Sequence, residues 1–424
     1  MLYDLGEMKS RYAGATVVFG GQIGSEGKGA IAGHIALERR WGAAICAFMV
    51  NAGHTWIGSE GQKVMVQQLP IALVNPEIPH LLISPGAGIH VPTLMAEIER
   101  FEEPYGISKR LRIHPRAVII EQRHADEGSE HATKRAGVGK GCSRANAEKS
   151  MRRPTVKLAR DVPELKQFIK DTDDIVNNVL NSSIPVLAEG AQGFDLDINH
   201  GYDYPHCTSR QTTPTQVLAD CGIDGKLLTR SIAVVRTYPI RVGNVEQDGE
   251  RIGYSGDYAG SELSWREVSA RSGADLQQLQ LTERTTVTKR IRRVFEISFD
   301  QIKRMSMICR PTEIALTFAD YLDMEVYGKG QEIKDPDFYM YPKISHFIRE
   351  LERSAARPTY VPRVTMVKTG PQENHIIHRA NYGMAPLWQM VKFGERPTVS
   401  EIESVRAELP EAAEAITALE SEER

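Results

Sequence analysis

Residues 16–29, TVVFGGQIGSEGKG, constrain the fold more than any other stretch of the chain. Thr16-Val17-Val18-Phe19 is short, apolar and rich in β-branched and aromatic side chains, the pattern of a buried strand. Glycines follow at positions 20, 21, 24, 27 and 29. The next residues, Ala30 to Leu37, carry an apolar pattern compatible with a buried helix. Strand, glycine loop and helix together make a phosphate cradle. Glycine lets the backbone turn sharply and present N–H groups with no Cβ in the way, and the helix N-terminus favours an anion. Lys28 adds a charge for outer phosphates. The stretch is not a standard P-loop, G-x-x-x-x-G-K-[ST]. Gln22 stands where the first glycine would be, and Gly29 replaces the magnesium-binding hydroxyl. Taken alone, such a loop is also compatible with a plain turn that binds nothing.

The remaining composition narrows the class. The chain has 424 residues, room for one large α/β domain or two to three smaller ones, and its 41% hydrophobic and 25% charged content is ordinary for a globular protein. A net charge of -3 gives no basic excess for nucleic acid. Cys46, Cys142, Cys207, Cys221 and Cys309 are scattered and form no C-x-x-C pair, which argues against a disulfide framework or a zinc site and fits a reducing cytoplasm. Residues 1–15 read as a polar leader and not as a secretory signal. No apolar run reaches the length of a membrane span.

Further strands are expected at 43–50, 80–84, 184–188, 232–235, 313–318 and 360–367, with extended chain over 111–120 and helices over 94–101 and 165–180. Polar, glycine-bearing segments follow the strands repeatedly, as in Asn51-Ala52-Gly53-His54-Thr55 and Lys368-Thr369-Gly370-Pro371. That rhythm predicts one mostly parallel sheet flanked by helices, with ligands along one edge and long functional loops. Residues 121–160 are polar and basic without apolar periodicity and read as a functional or mobile loop. Residues 401–424 hold eight glutamates against two arginines and read as an acidic surface helix.

Four separated segments together resemble the adenylosuccinate synthetase family: GGQIGSEGKG (20–29), NAGHT (51–55), EGAQGFDLDINHG (189–201) and TVTKRIRRV (286–294). TFADYLD (317–323) and KTGP (368–371) match more weakly. The order is the family's and the matches spread over most of the chain, which implies a single P-loop-related α/β domain over 1–424. The resemblance implies a ligase that couples nucleoside triphosphate cleavage to joining aspartate to the 6-position of a purine monophosphate. A purine 6-oxygen leaves poorly, so it is first phosphorylated and then displaced by the amine. Phosphoryl transfer calls for positioning and charge neutralisation by Mg²⁺, backbone N–H groups and lysine.

Carried over residue by residue, Lys28 with Gly24, Glu26, Gly27 and Gly29 would hold the donor phosphates. Thr55, Asp320, Lys368 and Gly370 would complete the donor site. His54 would be the general acid on the donor side. Gly53 and Ser25 would offer oxygens to Mg²⁺. Asn51, Gln192 and Thr208 would touch the acceptor nucleotide. Arg152 matches an arginine that the family sends across a homodimer interface to the same phosphate; Arg153 is its neighbour. Thr288, Arg290 and Arg292 match the loop that grips aspartate, two guanidinium forks suiting a dicarboxylate.

The departures matter as much. Ser25 stands where the family has an aspartate that takes the N1 proton of hypoxanthine, and an unactivated hydroxyl is a poor base near neutral pH. A branch of the family, found in phages with 2-aminoadenine in their DNA, carries a replacement there and makes N6-succino-2-amino-2'-deoxyadenylate from dGMP; its members would work in the host cytoplasm. A small neutral Ser25 leaves room for a 2-amino group and can accept a hydrogen bond from it. Phe318-Ala319-Asp320 replaces the family's Lys-x-Asp, which leaves ATP, dATP and GTP open as donors and favours ATP. Lys289 stands where the family usually has glycine. The leading expectation is thus aspartate ligation to dGMP. Adenylosuccinate synthesis from IMP with GTP and a non-catalytic nucleotide-binding paralogue are the alternatives. No nucleic acid or membrane partner is expected.

Overall fold

In the computed structural model the structure describes residues 14–285, 289–333, 340–357 and 360–379. A nine-stranded sheet forms the centre. Its strands, in chain order, are β1 (Ala15–Gly20), β2 (Ala43–Cys46), β3 (Leu81–Ile83), β4 (Leu111–Ile113), β5 (Val186–Glu189), β6 (Leu228–Arg236), β7 (Glu313–Thr317), β8 (Arg363–Lys368) and β9 (Ile376–His378). Their spatial order is β9-β8-β7-β6-β1-β5-β2-β3-β4. Every pairing is parallel except β8 with β9. Both faces of β1 are covered, so the strand is buried throughout and its apolar residues do not alternate with exposed polar ones. Val18 points to one core with Ile31 and Ile35 of α1 (Lys28–Glu38). Val17 and Phe19 point to the other, with Ile302 and Met305 of one covering helix and Ile344 and Ile348 of another.

The chain leaves β1 toward β2, β3 and β4, returns to insert β5, and then places β6 on the opposite side of β1. The carboxyl ends of β1, β5, β6, β7 and β8 therefore lie along one sheet edge around a topological switch point, where open α/β sheets bind ligands. A smaller sheet of Ile240–Arg241, Glu262–Leu263 and Arg293–Phe295 packs with Trp265, Val268 and Tyr321 beside that edge.

The expected strands are present with shifted ends. The one at 43–50 stops at Cys46, and 111–120 splits into β4 and a two-residue strand, Val118–Ile119. The helix expected over 165–180 is broken: a 3₁₀ segment, Pro163–Phe168, ends before Asp171, whose carboxylate caps the helix Thr172–Asn181. The larger correction is 121–160. It is not an open loop but carries α2 (Gln122–Lys134) and α3 (Cys142–Ser150). Glu121 and His124 close a capping box at the start of α2. Neither helix buries a continuous stripe, so no apolar period marks them in the sequence. The proposed leader and acidic C-terminal helix lie outside the described residues, apart from Gly14, which precedes β1, and Ala15, which opens it. Among the described residues no helix is long and apolar enough to cross a membrane, and the five cysteines are free.

Candidate active site

The glycine loop runs from the end of β1 into α1. Gly24 and Gly27 have φ of 85° and 89°, which only glycine adopts without strain. Gly29 is required by proximity: a Cβ there would lie 2.7 Å from the Thr55 backbone nitrogen. The N-terminal turn of α1 thus lies directly against the segment that carries Asn51, Gly53, His54 and Thr55. Gly33 extends the contact, since a Cβ there would strike the Trp56 ring at 2.3 Å.

Glu26 is fully buried and turned inward. Its Oε1 accepts from the backbone N–H groups of Gly24 (2.7 Å) and Gln22 (3.2 Å), and its Oε2 pairs with Lys28 Nζ at 2.6 Å. Thr317 Oγ1 donates to the Glu26 carbonyl at 2.6 Å, tying the loop to β7. With its carboxylate used inside the loop, Glu26 has its backbone left to face a donor. It shapes the loop and holds Lys28, which sits at the mouth of the helix.

His54 is buried and stacks on Phe48 with ring centroids 4.0 Å apart. Its Nδ1 lies 2.8 Å from Glu189 Oε1 at the end of β5, and the other carboxylate oxygen accepts from Ile71 N–H at 3.0 Å. A carboxylate only accepts, so the proton sits on Nδ1. Nε2 is then the free atom, and it has no partner among the described residues.

Asn51, Gln192 and Thr208 line one cavity of about 510 Å³ together with Arg135, Arg210 and Arg241. The Asn51 side-chain oxygen is buried without a partner among the described residues. Arg152 is exposed, has a φ of 56°, and does not line that cavity. Arg290 and Arg292 line a second cavity of about 830 Å³, which adjoins the first across Val242 and Gly243. Arg290 donates to the Ala136 carbonyl at 2.8 Å, just beyond α2. Thr288 lies outside the described residues.

Ser25 and Gly53 are exposed. Asp320 and Lys368 are buried at the ends of β7 and β8. Burial pushes the Asp320 carboxyl up to about 7 and the Lys368 amine down to about 8. Lys368 Nζ donates to the Gln372 carbonyl, closing the loop in which Gly370 packs on His375.

Sequence reasoning passed over several residues. Arg236, at the end of β6, is fully buried. It donates to the Ser25 carbonyl (3.3 Å) and to Glu283 (3.0 Å), with its guanidinium 3.9 Å from the Phe318 ring centroid. Glu283 also accepts from Arg292 at 3.0 Å and from the Tyr321 hydroxyl at 2.8 Å. Arg241, in the first cavity, is buried with Nε and Nη2 unpartnered among the described residues. The segment 236–243 holds two arginines after a strand, which was the available signal. Asp195 is wholly buried beside the loop, its N–H on the Gln22 carbonyl at 2.8 Å, and burial followed by Glu26 pushes its carboxyl up to about 7. A lone aspartate in sequence gave no sign of this.

Backbone strain concentrates here. Ser25, Gln192, Phe318 and Lys289 all have φ between 56° and 58°. Non-glycine residues held in that region cost about 1–3 kcal/mol each and gather at functional sites. Lys289 thus holds a left-handed conformation of the kind that favours glycine.

The glycine loop, the helix N-terminus and convergent arginines at a sheet edge define a nucleotide-handling α/β enzyme. The chain matches the family model described as adenylosuccinate synthetase over residues 17–162 and 153–327. It is 35% identical over 341 residues to the N6-succino-2-amino-2'-deoxyadenylate synthase of Acinetobacter phage SH-Ab 15497, covering 73% of this chain and 85% of that one. It is 32% identical over 373 residues to the adenylosuccinate synthetase of Archaeoglobus fulgidus, covering 86% and 98%. The solved structure of cyanophage S-2L succinoaminodeoxyadenylate synthetase, bound to dGMP and dATP as an energy donor, matches with a TM-score of 0.70 at 26% identity, over 93% of this chain and 99% of that one. The fold is also that of Plasmodium falciparum adenylosuccinate synthetase, with a TM-score of 0.69 at 20% identity over 86% and 99%. This chain belongs to the adenylosuccinate synthetase family of carbon–nitrogen ligases.

Proposed function

We propose that the protein joins L-aspartate to C6 of dGMP at the expense of ATP or dATP, giving N6-succino-2-amino-2'-deoxyadenylate, the diphosphate of the donor and phosphate. The observation that carries this is Ser25: the family's base is replaced on a loop that otherwise keeps its glycines, Lys28 and backbone clamp. Phage relatives with that printed activity, 35–37% identical, support the reading.

In this scheme the purine 6-oxygen attacks the donor's γ-phosphorus as N1 gives up its proton to water and the bond to the leaving diphosphate breaks. The aspartate amine then attacks C6 and phosphate leaves. Backbone N–H groups of residues 24–29 and Lys28 hold the donor phosphates. A phosphate at the helix N-terminus competes with Glu26 for the Lys28 ammonium. His54 Nε2 serves the donor phosphates, with Glu189 holding the ring. The first cavity takes the acceptor nucleotide through Asn51, Gln192, Thr208 and Arg241. Arg152 serves the phosphate of a second subunit in a homodimer. Arg290 and Arg292 take the aspartate carboxylates, with Thr288 beside them.

Mg²⁺ fits the exposed oxygens of Ser25 and Gly53, since it keeps waters and substrate phosphates as most of its ligands. When bound it neutralises charge on the transferring phosphoryl group.

An adenine donor suits Asp320. A protonated carboxyl donates to adenine N1 and accepts from the 6-amino group, whereas a carboxylate only accepts and suits guanine N1 and N2. Phe318, whose ring stacks on the Arg236 guanidinium, would take the place of the family's lysine beside the donor base.

The test is phosphate release with Mg²⁺ and aspartate, crossing dGMP, GMP and IMP with ATP, dATP and GTP and identifying products by mass. Turnover with dGMP and an adenine donor is expected. Turnover with IMP alone would overturn the reading of Ser25. No turnover with any pair would favour a binding-only paralogue.

A further inference from the structure

We infer that His34, Glu38 and His378 form a binding site for a divalent transition metal of the zinc type, clamping α1 to β9. His34 and Glu38 lie one turn apart on the same face of α1. The His34 and His378 Nε2 atoms are 2.8 Å apart, Glu38 Oε1 lies 3.9 Å from His34 Nε2, and the three ligand atoms lie within 4.8 Å of one another.

Two of the three ligands, His34 and Glu38, are oriented from behind, as metal ligands usually are. His34 Nδ1 is 2.8 Å from Glu373 Oε1, which puts the proton on Nδ1 and leaves Nε2 a lone pair aimed at His378. Arg230 Nη1 holds Glu38 Oε2 at 3.1 Å, leaving Oε1 toward the histidines, and Arg230 is itself neutralised by Glu313. Without metal, the two rings share one hydrogen bond in which His378 Nε2–H donates. A metal replaces that proton, and His378 carries its hydrogen on Nδ1.

The fit is close. With zinc–nitrogen bonds of 2.0–2.1 Å in a tetrahedron, the two nitrogens stand roughly 3.3 Å apart. The rings need to separate by about half an ångström from the metal-free spacing and to turn so that both Nε2 lone pairs converge on the ion. Two imidazoles and one carboxylate select a borderline-soft ion and disfavour Mg²⁺, which demands oxygen ligands. The site is therefore distinct from the Mg²⁺ position proposed at Ser25 and Gly53. His34 lies six residues beyond Lys28 on α1, about 9 Å along the helix. His378 closes the strand that follows the Lys368–Gly370 loop. A metal here would lock together the two elements that frame the donor nucleotide.

Chelator-treated protein, free of Mg²⁺ and nucleotide, would be titrated with Co²⁺ alone and Zn²⁺ alone. One equivalent of Co²⁺ with the intense visible bands of tetrahedral coordination is expected, together with a higher melting temperature on adding Zn²⁺. His34→Asn and His378→Asn should each weaken Co²⁺ binding at least tenfold and abolish the Zn²⁺ stabilisation. Should either variant fail to fold, anomalous diffraction from wild-type crystals soaked in Zn²⁺ decides. A peak bonded to both Nε2 atoms upholds the site. No saturable Co²⁺ binding, binding unchanged in the variants, or a peak elsewhere would leave only a histidine–histidine hydrogen bond and overturn it.

Discussion

Arg236 and Glu283 form a fully buried ion pair, Nη2 to Oε1 at 3.0 Å, that joins the glycine loop to the arginines proposed to hold aspartate. The same carboxylate pairs with Arg292, and the same guanidinium reaches the Ser25 carbonyl. The two flanking arginines and the Tyr321 hydroxyl hold Glu283 below the usual carboxylate range against the effect of burial. Glu283→Gln leaves two guanidinium groups with one neutral acceptor. Loss of one partner from a buried pair costs about 3–5 kcal/mol. Denaturant unfolding should register that loss. Where the variant stays folded, KM for aspartate should rise roughly tenfold as Arg292 loses its anchor.

Ser25→Asp should move acceptor preference from dGMP toward IMP. Aspartate is among the residues that tolerate left-handed φ, so the loop at φ 56° accepts it without new strain. A restored base next to N1 contributes about 10²–10⁴-fold where proton removal limits the rate. Initial rates with both nucleotides, expressed as a ratio of kcat/KM, give the measurement. An unchanged ratio would mean that Ser25 does not read the acceptor base.

His54→Asn should lower kcat by about 10²–10⁴-fold with little change in KM, as expected for a group acting mainly in the transition state. Glu189→Gln should cost less, because the ring stays in place while its tautomer is no longer fixed. Steady-state kinetics on both variants separates the acting group from the positioning one.

Gly29→Ala places a methyl 2.7 Å from the Thr55 nitrogen and 3.0 Å from its carbonyl oxygen. Backbone cannot yield as a side-chain tip can, so a loss of about 1–3 kcal/mol is expected. The separation of α1 from the hairpin His54–Ile57 and Lys63–Val66 should also weaken donor binding. Thermal unfolding and donor titration report the two effects.

Donor choice should depend on pH. Burial raises the Asp320 carboxyl to about 7. Below that pH it is mostly neutral and matches adenine; above it, it ionises, matches guanine and loses its donated hydrogen bond to adenine N1. The ATP-to-GTP ratio of kcat/KM should therefore fall as pH rises from 6 to 8 around that midpoint, by roughly tenfold for one hydrogen bond. Asp320→Asn keeps one donor and one acceptor at every pH and should make the ratio flat.

The sequence by itself determined the fold class, the glycine loop and the histidine, because these depend on local pattern: apolar strands, left-handed glycines and short motifs after strands. It also placed Ser25 at the one loop position where the family's base is missing. Only the tertiary structure decided which groups meet. Glu26 reads as a loop carboxylate beside Lys28, yet packing turns it inward to brace the loop. Arg236 and Glu283 stand 47 residues apart and gave no joint signal. Residues 122–134 and 142–150 lack an apolar stripe, so their helices come from capping and docking and not from a period in the sequence. His34 and His378, 344 residues apart, share one hydrogen bond because β9 turns back antiparallel beside β8 at the sheet's edge. Short-range pattern records what each segment can form. The partners of a buried charge are set by the whole chain's packing, since only closure of the core removes the water that would otherwise serve it.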